Sequence, residues 1–497
     1  MMNFKPKEYL SEAEIQDGLK KVIWDGLTAE AMTALTSGTF LVALALLLGA
    51  NNFEIGILAS LPLATNVLQL LSVWLVSKYH NRRAVAVICA YLARIPLIIV
   101  GLGIFVFNEF SLVFLAAMLS MHYIFGSIAG PSWNSWMKDM IPEQMLGTYF
   151  SRRGRYTQIL NVVLSIVIAL ILDLVKARAP ENELKVYACF FGAAGVVGLI
   201  GGYILSKVAE PYPHVSENNI VQLFKLPLRN QNFRRLLVFN SFWSFALNIA
   251  NPFLSVFMLT ALKLPLSYII MLNVISQIAG ILTINIWGKF SDRYSNKSII
   301  SLAAPIYIVV LIGWCYVGVI NQLAVNLAFL AVIHIAMGVA NAGINLSITN
   351  IGLKLAPKRD AIVFLSVKNI VVAISSSLGP LAGGALAAFF LNKTLSININ
   401  WATDKLSSNY HLLSLQQWSF LFIIAAFLAL VSLNLLMKVK ELGEVPRKIV
   451  RRIMRTSIRN NLRDYFLIGN IIDIHDELSA IVRKSRRRLN RSRQDIS

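Results

Sequence analysis

The strongest constraint on this chain is a series of apolar stretches, each long enough to cross about 30 Å of hydrocarbon with roughly 20 residues. Charged residues make up only 14% of the 497 residues, whereas a soluble protein carries about 25% to cover its surface. We therefore predict an all-α membrane protein with twelve transmembrane helices. These spans 1 to 12 are expected at residues 24–48, 53–76, 84–107, 111–137, 156–175, 186–207, 236–260, 266–289, 298–320, 324–351, 361–391 and 415–437.

The distribution of Lys and Arg predicts the orientation of the spans. The chain has 46 of these residues against 25 Asp and Glu, a net charge of +21. Thirty-nine of the 46 fall in the two termini and in the loops that follow even-numbered spans. Because positively charged loops stay in the cytoplasm, both termini are predicted to be cytoplasmic. Residues 1–23 lack the apolar core of a signal peptide, and we expect a multi-pass protein of the cell (inner) membrane.

Prolines and polar residues divide the chain into two groups of six spans. Residues 209–235 are polar and contain three prolines, which is typical of a linker. The predicted domains are a cytoplasmic N-terminal segment, a six-helix bundle, the linker, a second six-helix bundle and a basic tail, at residues 1–23, 24–208, 209–235, 236–438 and 439–497.

The two groups of spans repeat each other at a fixed offset of 215 residues. This shift places Asn81-Arg82 on Asn296-Lys297, Pro142 on Pro357, and residues 149–153 on 364–368. Each match joins a cytoplasmic loop to a cytoplasmic loop. The repeat therefore predicts two pseudo-symmetric six-helix bundles of the same topology, the 6+6 arrangement that occurs in secondary transporters.

The loop after span 8 resembles the signature of a known family. Residues 288–297 read Gly-Lys-Phe-Ser-Asp-Arg-Tyr-Ser-Asn-Lys, similar to the Gly, Asp-Arg and basic end of the loop motif of the major facilitator superfamily. The copy after span 2, which is usually the stronger one in that family, has Val73 and Ser77 in place of the Gly and the Asp. The resemblance implies an alternating-access solute carrier, not an enzyme, with its substrate site between the halves.

The same resemblance implies a cytoplasmic gate of charged loop residues. By family analogy Asp292 faces the start of span 5, where it can accept hydrogen bonds from a helix N-terminus and pair with an Arg. We expect this cluster to latch the outward-facing state; the alternative is a surface ion pair worth about 0–1 kcal/mol. The candidate gate residues are Arg82, Arg83, Asp139, Arg152, Arg153, Arg155, Gly288, Asp292 and Arg293.

Ionisable residues deep inside spans are costly and indicate function. Glu30 lies about 9 Å into span 1 and Arg94 about 15 Å into span 3, so the two can form a pair, either structural or for transport. His122 and His334 lie about 16 Å and 15 Å into spans 4 and 10. Because the family lines its cavity with these two spans, the imidazoles are expected to face one cavity. They would serve as neutral hydrogen-bonding groups, as proton carriers or as substrate contacts.

Uncharged polar residues are more numerous in the spans. Amide and hydroxyl groups at helical spacing, with Trp nearby, favour a neutral hydroxyl-bearing or amphipathic small molecule as the substrate. The alternative is that these groups join helices to each other. The remaining candidate substrate or coupling residues are Trp133, Gln158, Asn161, Asn248, Asn341 and Asn345. A further segment, Leu-Gly-Pro-Leu-Ala-Gly-Gly at 378–384, resembles the family's antiporter signature, but it lies in span 11 instead of span 5. We predict close helix packing there.

The tail has a different pattern. Residues 439–497 hold 15 Lys and Arg against seven Asp and Glu, with an Arg at every fourth position from Arg447 to Arg463. This predicts a basic amphipathic helix on anionic lipids of the cytoplasmic leaflet; a regulatory partner site and a purely topological role are the alternatives. A nucleic-acid partner is not expected.

Three functions stay open at this point. The first is a secondary active transporter of a small organic solute, with or without coupling to protons. The second is a drug/proton efflux pump, and the third is a non-transporting membrane sensor or scaffold that acts through the tail. The sequence shows no nucleotide loop, metal-ligand cluster or nucleophile triad, so no cofactor and no metal are predicted. A monomer is expected.

Overall fold

The computed structural model describes residues 6–106, 111–142, 145–212, 225–293, 295–319, 322–357, 361–403 and 406–441. In these ranges it has twelve helical spans long and apolar enough to cross a membrane. The predicted amphipathic helix of the tail lies outside the described residues.

Two spans are interrupted. Span 1 consists of α1 (Glu12–Thr36) and α2 (Thr39–Leu47). Span 2 consists of α3 (Asn52–Ala64) and α4 (Gln69–Tyr79), joined by a 3₁₀ turn at Thr65–Leu68. Spans 3 to 6 are α5 (Arg82–Val106), α6 (Leu112–Met140), α7 (Leu146–Arg178) and α8 (Glu183–Ser206).

The second half has continuous spans. The short α9 (Lys225–Arg229) precedes span 7. Spans 7 to 12 are α10 (Gln231–Thr260), α11 (Leu266–Arg293), α12 (Asn296–Trp314), α13 (Leu323–Leu355), α14 (Ala361–Phe389) and α15 (Gln417–Met437). The six-plus-six division predicted from the sequence is therefore confirmed.

Spans 11 and 12 are connected by a β-hairpin that the sequence analysis did not predict. β1 (Leu395–Thr403) pairs with β2 (Leu406–Leu415) in an antiparallel register that runs from Leu395 opposite Leu415 to Thr403 opposite Leu406. The segment alternates apolar and polar residues (Leu-Ser-Ile-Asn-Ile-Asn) with the period of two that strands require. With the orientation predicted from the charge distribution, the hairpin lies on the outer side.

The break in span 1 follows from its local sequence. The hydroxyl groups of Thr33, Thr36 and Ser37 each donate to the carbonyl oxygen four residues earlier, at 2.9, 2.8 and 2.6 Å. Such bonds compete with the backbone ladder and bend helices. The next residue, Gly38, has φ of +64°, a left-handed conformation that favours glycine. The helix therefore ends at Thr36 and restarts at Thr39.

Contacts in the two halves repeat at the offset found in the sequence. In the first half, Arg153 lies over the ring of Trp133. The residues 215 positions later are also in contact, although in a different way: Lys368 Nζ donates to the backbone carbonyl oxygen of Ile348 at 3.4 Å. The offset found in three loop segments thus also relates two pairs of residues in contact between spans 4 and 5 and between spans 10 and 11.

The halves pack against each other mainly at their outer ends. The outer parts of spans 1 and 2 pack against spans 7 and 11. At this surface Thr39 Oγ1 and Ser255 Oγ lie 3.2 Å apart, and a Cβ atom added to Gly56 would lie 2.5 Å from the carbonyl oxygen of Pro380. On the cytoplasmic side, polar groups such as Gln158 and Asn345 are exposed. With the predicted orientation of the spans, this is the arrangement of an inward-facing state.

The glycines of span 11 allow close helix packing, as predicted, both within the second half and against the first. A Cβ atom on Gly379 would lie 2.6 Å from Asn248 Cβ, and one on Gly383 would lie 2.3 Å from the carbonyl oxygen of Ile249. A Cβ atom on Gly384 would lie 2.6 Å from the carbonyl oxygen of Asn52 in the other half. The Gly-Pro segment brings span 11 against spans 7 and 2.

Candidate substrate cavity and charge networks

The break in span 1 borders a cavity between the two halves. Its volume is about 300 Å³, and its wall is formed by spans 1 and 5 of the first half and span 8 of the second. Most of the groups that line it are neutral hydrogen-bonding groups. They include Ser37, Thr39, Asn161, Ser165, Asn273 and Gln277.

Glu30 adjoins this cavity through one hydrogen bond. Asn161 Nδ2 donates to Glu30 Oε1 at 2.7 Å, and Asn161 itself lines the cavity. The predicted pairing of Glu30 with Arg94 is therefore wrong: Glu30 binds an amide of span 5 instead. A position counted along a helix does not fix the direction in which its side chain points.

Arg94 interacts with a carboxylate that the sequence analysis missed. Asp25 in span 1 is only 5% exposed, and its charge interacts with those of Arg94 and Arg153. Two glycines of span 6 give these groups room: a Cβ atom on Gly198 would lie 2.8 Å from Arg94 Cγ, and one on Gly201 would lie 2.1 Å from Thr28 Oγ1. Asp25 was not among the predicted site residues; it lies in the middle of α1, which begins at Glu12.

The structure separates the two histidines that were expected to share a cavity. His122 donates from Nδ1 to the carbonyl oxygen of Ala93 at 2.6 Å. It also borders a second cavity of about 310 Å³ between spans 2 and 4, which Thr65, Asn66 and Gln69 of span 2 line as well. His122 therefore links span 4 to span 3 and lines a cavity within the first half.

His334 does not line the central cavity, and this part of the prediction is wrong. The side chain is fully buried, its Nδ1 donates to the carbonyl oxygen of Leu330 in its own helix at 2.8 Å, and its ring contacts the ring of Trp314 in span 9. The same aromatic cluster contains Phe257 and Phe422. His334 belongs to the core of the second bundle.

The other predicted polar residues divide into two groups. Asn341 interacts with the hydroxyl of Tyr307, which also donates to Asn251 Oδ1 at 2.9 Å, so it joins span 10 to spans 9 and 7. Asn248 donates to the carbonyl oxygen of Ser244 in its own helix. These residues join helices or bond within one. By contrast Gln158 and Asn345 are exposed on the cytoplasmic halves of their spans.

A buried network of charged groups lies at the cytoplasmic end of the first half. Glu210, fully buried, accepts from the backbone N–H groups of Arg82 and Arg83 at 2.9 and 3.0 Å and from Arg82 Nε at 3.1 Å. Arg82, only 2% exposed, also pairs with Asp139 and donates to the carbonyl oxygen of Pro211 at 2.9 Å. These candidate gate residues thus connect spans 3, 4 and 6 within one half.

The second half has an equivalent network around Glu441. Its carboxylate accepts from the backbone N–H groups of Asn296 and Lys297 at 3.1 and 2.8 Å and from Ser295 Oγ at 3.0 Å. Burial raises the pKa of Glu441, but these hydrogen bonds, with one from the Asn296 side chain, outweigh burial and hold the pKa below its usual value. Lys354, the repeat counterpart of Asp139, pairs with it at 3.4 Å.

Sequence reasoning missed both glutamates, although a signal was present. Each half ends with the same pattern, Lys-Val-Ala-Glu at 207–210 and Lys-Val-Lys-Glu at 438–441. Both valines are buried, and each glutamate caps the N-terminus of the third span of its half. A search for repeats at the ends of the halves, where the offset is no longer 215, would have found them.

The remaining gate candidates lie at the start of span 5 and the end of span 8. Arg153 contacts Trp133 and donates to the carbonyl oxygen of Val22 at 3.4 Å, whereas Arg152 and Arg155 are exposed. Gly288 has space around it, with Leu346 as its nearest neighbour at 3.9 Å from an added Cβ atom. The side chains of Asp292 and Arg293 lie outside the described residues, so the outward-facing latch stays a prediction.

Comparison with known proteins agrees with this architecture. The nucleoside transporter NupG has a similar structure, with a TM-score of 0.58, 15% identity, and coverage of 86% of this chain and 98% of that one. The inward-open xylose transporter XylE from E. coli has a TM-score of 0.59 and 14% identity, with coverage of 88% of this chain and 99% of that one. An inward-facing bacterial homologue of the iron transporter ferroportin has a TM-score of 0.58 and 12% identity, with coverage of 86% of this chain and 99% of that one.

At these identities the structural neighbours establish the fold. No curated protein matches the sequence. The sequence model of the Major Facilitator Superfamily, however, matches residues 27–380, which is more than half of the chain. The protein therefore belongs to the Major Facilitator Superfamily and is a multi-pass membrane transporter of small molecules, not an enzyme.

Proposed function

We propose that this transporter carries a small, neutral, hydroxyl-rich solute in the cavity beside the broken span 1. The observation that supports the proposal is the chemistry of the wall: amide and hydroxyl side chains from both halves face the same space. Amide and hydroxyl side chains can both donate and accept hydrogen bonds, which suits a solute with several hydroxyl groups.

Charge argues against an anionic solute. Among the described residues that line this cavity there is no Lys or Arg. Arg94 and Arg153 are not among the residues that line it, and Arg153 lies over the ring of Trp133. A phosphate or carboxylate would lose its hydration in this cavity without gaining a cationic partner, which is costly in a low-dielectric environment.

Size and fold support the same class of solute. A volume of about 300 Å³ lies at the lower end for organic ligands, which fits a molecule the size of a sugar or a nucleoside. Proteins of this fold include the nucleoside transporter NupG and the xylose transporter XylE.

We further propose that transport is coupled to protons through Glu30. The carboxylate of Glu30 accepts the amide of Asn161, which lines the cavity, so its protonation state and the solute act on the same side chain. This carboxylate replaces the histidine pair as the candidate for coupling, because His334 is packed into the second bundle. We also propose that the protein lies in the cell membrane with both termini in the cytoplasm; the excess of Lys and Arg on one side supports this orientation.

Binding to the purified protein tests the class of solute. Thermal unfolding would be followed with a panel of pentoses, hexoses, polyols and nucleosides, with sugar phosphates and hydrophobic cations as comparators. For the stabilising solute, Asn273→Leu should weaken binding by about tenfold or more, because an unpaired polar group costs about 1–3 kcal/mol. Asn66→Leu, in the cavity within the first half, is the matched control and should bind normally.

Two results would overturn the assignment. Stabilisation by the hydrophobic cations alone would favour a drug/proton efflux pump. Loss of binding in Asn66→Leu but not in Asn273→Leu would place the solute in the cavity between spans 2 and 4.

The proton proposal is tested in proteoliposomes with the identified solute. Glu30→Gln should abolish accumulation driven by a pH gradient but retain exchange of labelled for unlabelled solute. Accumulation that persists in this variant with its dependence on the pH gradient unchanged would rule out Glu30 as the coupling residue.

A further inference from the structure

One carboxylate at the outer face joins the two halves by capping a helix. Asp173, near the outer end of span 5, accepts from the backbone N–H of Leu266 through Oδ1 and from that of Ser267 through Oδ2, both at 2.9 Å. Leu266 and Ser267 are the first two residues of span 8, in the other half. The cap therefore exists only while the outer ends of spans 5 and 8 are together.

Span 8 has no cap of its own. The residue before its first turn is Pro265, preceded by Leu264, and neither side chain can accept a hydrogen bond. The first N–H groups of a helix have no partner within it, and a carboxylate there also interacts favourably with the helix dipole. The N-terminus of span 8 thus depends on a residue of the opposite bundle.

The duplication supplies an internal comparison. Span 2, the counterpart of span 8, is capped within its own half: Asn51 Oδ1 accepts from the backbone N–H of Glu54 at 3.0 Å, and Glu54 Oε2 accepts from that of Asn51 at 2.8 Å. The counterpart of Asp173 in span 11 is Ala388, which has no acceptor side chain. The capping of an outer helix end across the halves is therefore found in one copy, not in both.

The surroundings of Asp173 allow the cap to open and close. Asp173 is half-buried and borders an outer cleft of about 520 Å³, which also contains Lys176, Glu183 and Lys263. Because Lys176 and Lys263 in this cleft are exposed, both the carboxylate and the helix end can be hydrated once they separate. A cap of this kind biases an equilibrium without blocking it.

We propose that Asp173 is a cross-half latch that holds the transporter inward-facing. When the outer ends separate, span 8 loses its cap. The loss raises the free energy of the outward-facing state relative to that of the inward-facing state. The latch acts on the conformational equilibrium and requires no particular solute or coupling ion, so it goes beyond the proposed function and can fail or hold independently of it.

Distance measurements between spin labels test the latch in the full chain, in lipid nanodiscs without solute. Cys89, Cys189 and Cys315 are first replaced by alanine. One labelled pair, Val113 and Leu323, reports the outer ends of spans 4 and 10, and a second pair, Lys138 and Leu353, reports their cytoplasmic ends. All four side chains are exposed.

Asp173→Asn should move the ratio of outward-facing to inward-facing molecules upward by about fivefold to tenfold, since the carboxylate accepts through both of its oxygens and carries a charge, whereas an amide has one acceptor oxygen and is neutral. The outer distance should lengthen as the cytoplasmic distance shortens. Glu54→Gln is the matched control: it weakens the local cap of span 2 and should leave both distance distributions unchanged.

A second variant separates the latch from simple helix stability. Adding Pro265→Ser to Asp173→Asn gives span 8 a local cap, which should raise the unfolding temperature without restoring the inward-facing population. The proposal is overturned if Asp173→Asn leaves the distributions as in the parent protein. It is also overturned if Pro265→Ser restores them, because the effect would then be one of helix stability.

Discussion

Gly38 is the residue on which the shape of the central cavity depends most directly. Its φ of +64° turns the chain between α1 and α2, and no atom lies within 4 Å of the position that a Cβ atom would occupy. The requirement for glycine is therefore conformational and not one of space. Any other residue would have to adopt the left-handed region, or the break would have to change.

Gly38→Ala is expected to lower the free energy of unfolding by about 1–2 kcal/mol, the cost of a side chain in the left-handed region. Thermal unfolding in detergent measures this loss. Gly130→Ala in span 4 is the control, because that glycine is helical and also has nothing within 4 Å of an added Cβ atom. An equal loss in both variants would contradict the conformational explanation.

At the residue scale, the sequence does not predict which neighbour a residue of a span meets. Counting along a span gives Glu30, Arg94 and His334 a position along the helix axis, but rotation about that axis decides which neighbour each side chain meets. Asn161 proved to line the cavity, whereas His334 turned toward Trp314. Helix breaks such as that at Gly38 change this rotation, and so do small errors in the predicted span ends. The contact partner of a side chain therefore cannot be predicted by counting residues along a span.

At the scale of the element, the third span of each half depends on a glutamate from the end of that half. Glu210 and Glu441 each accept from two backbone N–H groups in the first turn or cap of a helix that begins with basic or amide residues. In the first half the same carboxylate also compensates a buried guanidinium, that of Arg82.

Glu210→Ala is expected to reduce the free energy of unfolding by about 3–5 kcal/mol, because it leaves the buried charge of Arg82 with Asp139 as its remaining carboxylate partner. Thermal unfolding and the yield of folded protein measure this loss. Glu181→Ala, at an exposed outer position, should stay within about 0.5 kcal/mol of the parent. A loss below about 1 kcal/mol for Glu210→Ala would mean that Arg82 is not compensated by Glu210.

Glu441 makes the second half sensitive to acid. Its pKa in the folded protein lies below the ordinary value of 4.5, so its stabilisation is complete above that value and is lost as the pH falls through the lower, folded-state pKa. Glu441→Gln should destabilise the protein by about 1–3 kcal/mol at neutral pH. Unfolding temperatures from pH 7 downward should show this difference shrinking in acid; a constant difference would contradict the assignment.

The elements themselves were largely predictable, because a span needs only length and apolarity. All twelve were found, with errors at cytoplasmic ends such as that of α1, which a capping box at Ser11 and Glu14 starts well before the apolar region. The β-hairpin was missed although Leu395–Asn400 alternates as a strand does, because the loop was considered only as a connection between spans. The antiparallel pairing is a local feature that hydropathy does not detect.

At the scale of the whole molecule, the inward-facing state is defined by contacts at the outer ends of the halves. Thr39 and Ser255 bring their hydroxyl groups within 3.2 Å across the boundary between the bundles. A similar pair, Ser72 and Ser132, lies within the first bundle at 2.7 Å. Alternating access requires the first pair to separate and leaves the second together.

These two pairs give a direct test of the rocking motion. In the cysteine-free background, Thr39→Cys with Ser255→Cys should form a disulfide that stops exchange of the identified solute, and a reductant should restore it. Ser72→Cys with Ser132→Cys should crosslink equally well without loss of exchange. Full exchange with the Thr39–Ser255 disulfide formed would show that this outer contact does not open.

The interruption of span 1 has a consequence for where the moving bodies meet. α1 packs with spans 5 and 6 of its own bundle, whereas α2 packs against span 7 of the other. Because the helix is interrupted at Ser37–Gly38, we expect the nine residues of α2 to tilt without moving α1. We also expect closure around a bound molecule to begin with a local bend at this joint, before the two bundles rotate, so that access from the two sides is controlled in stages.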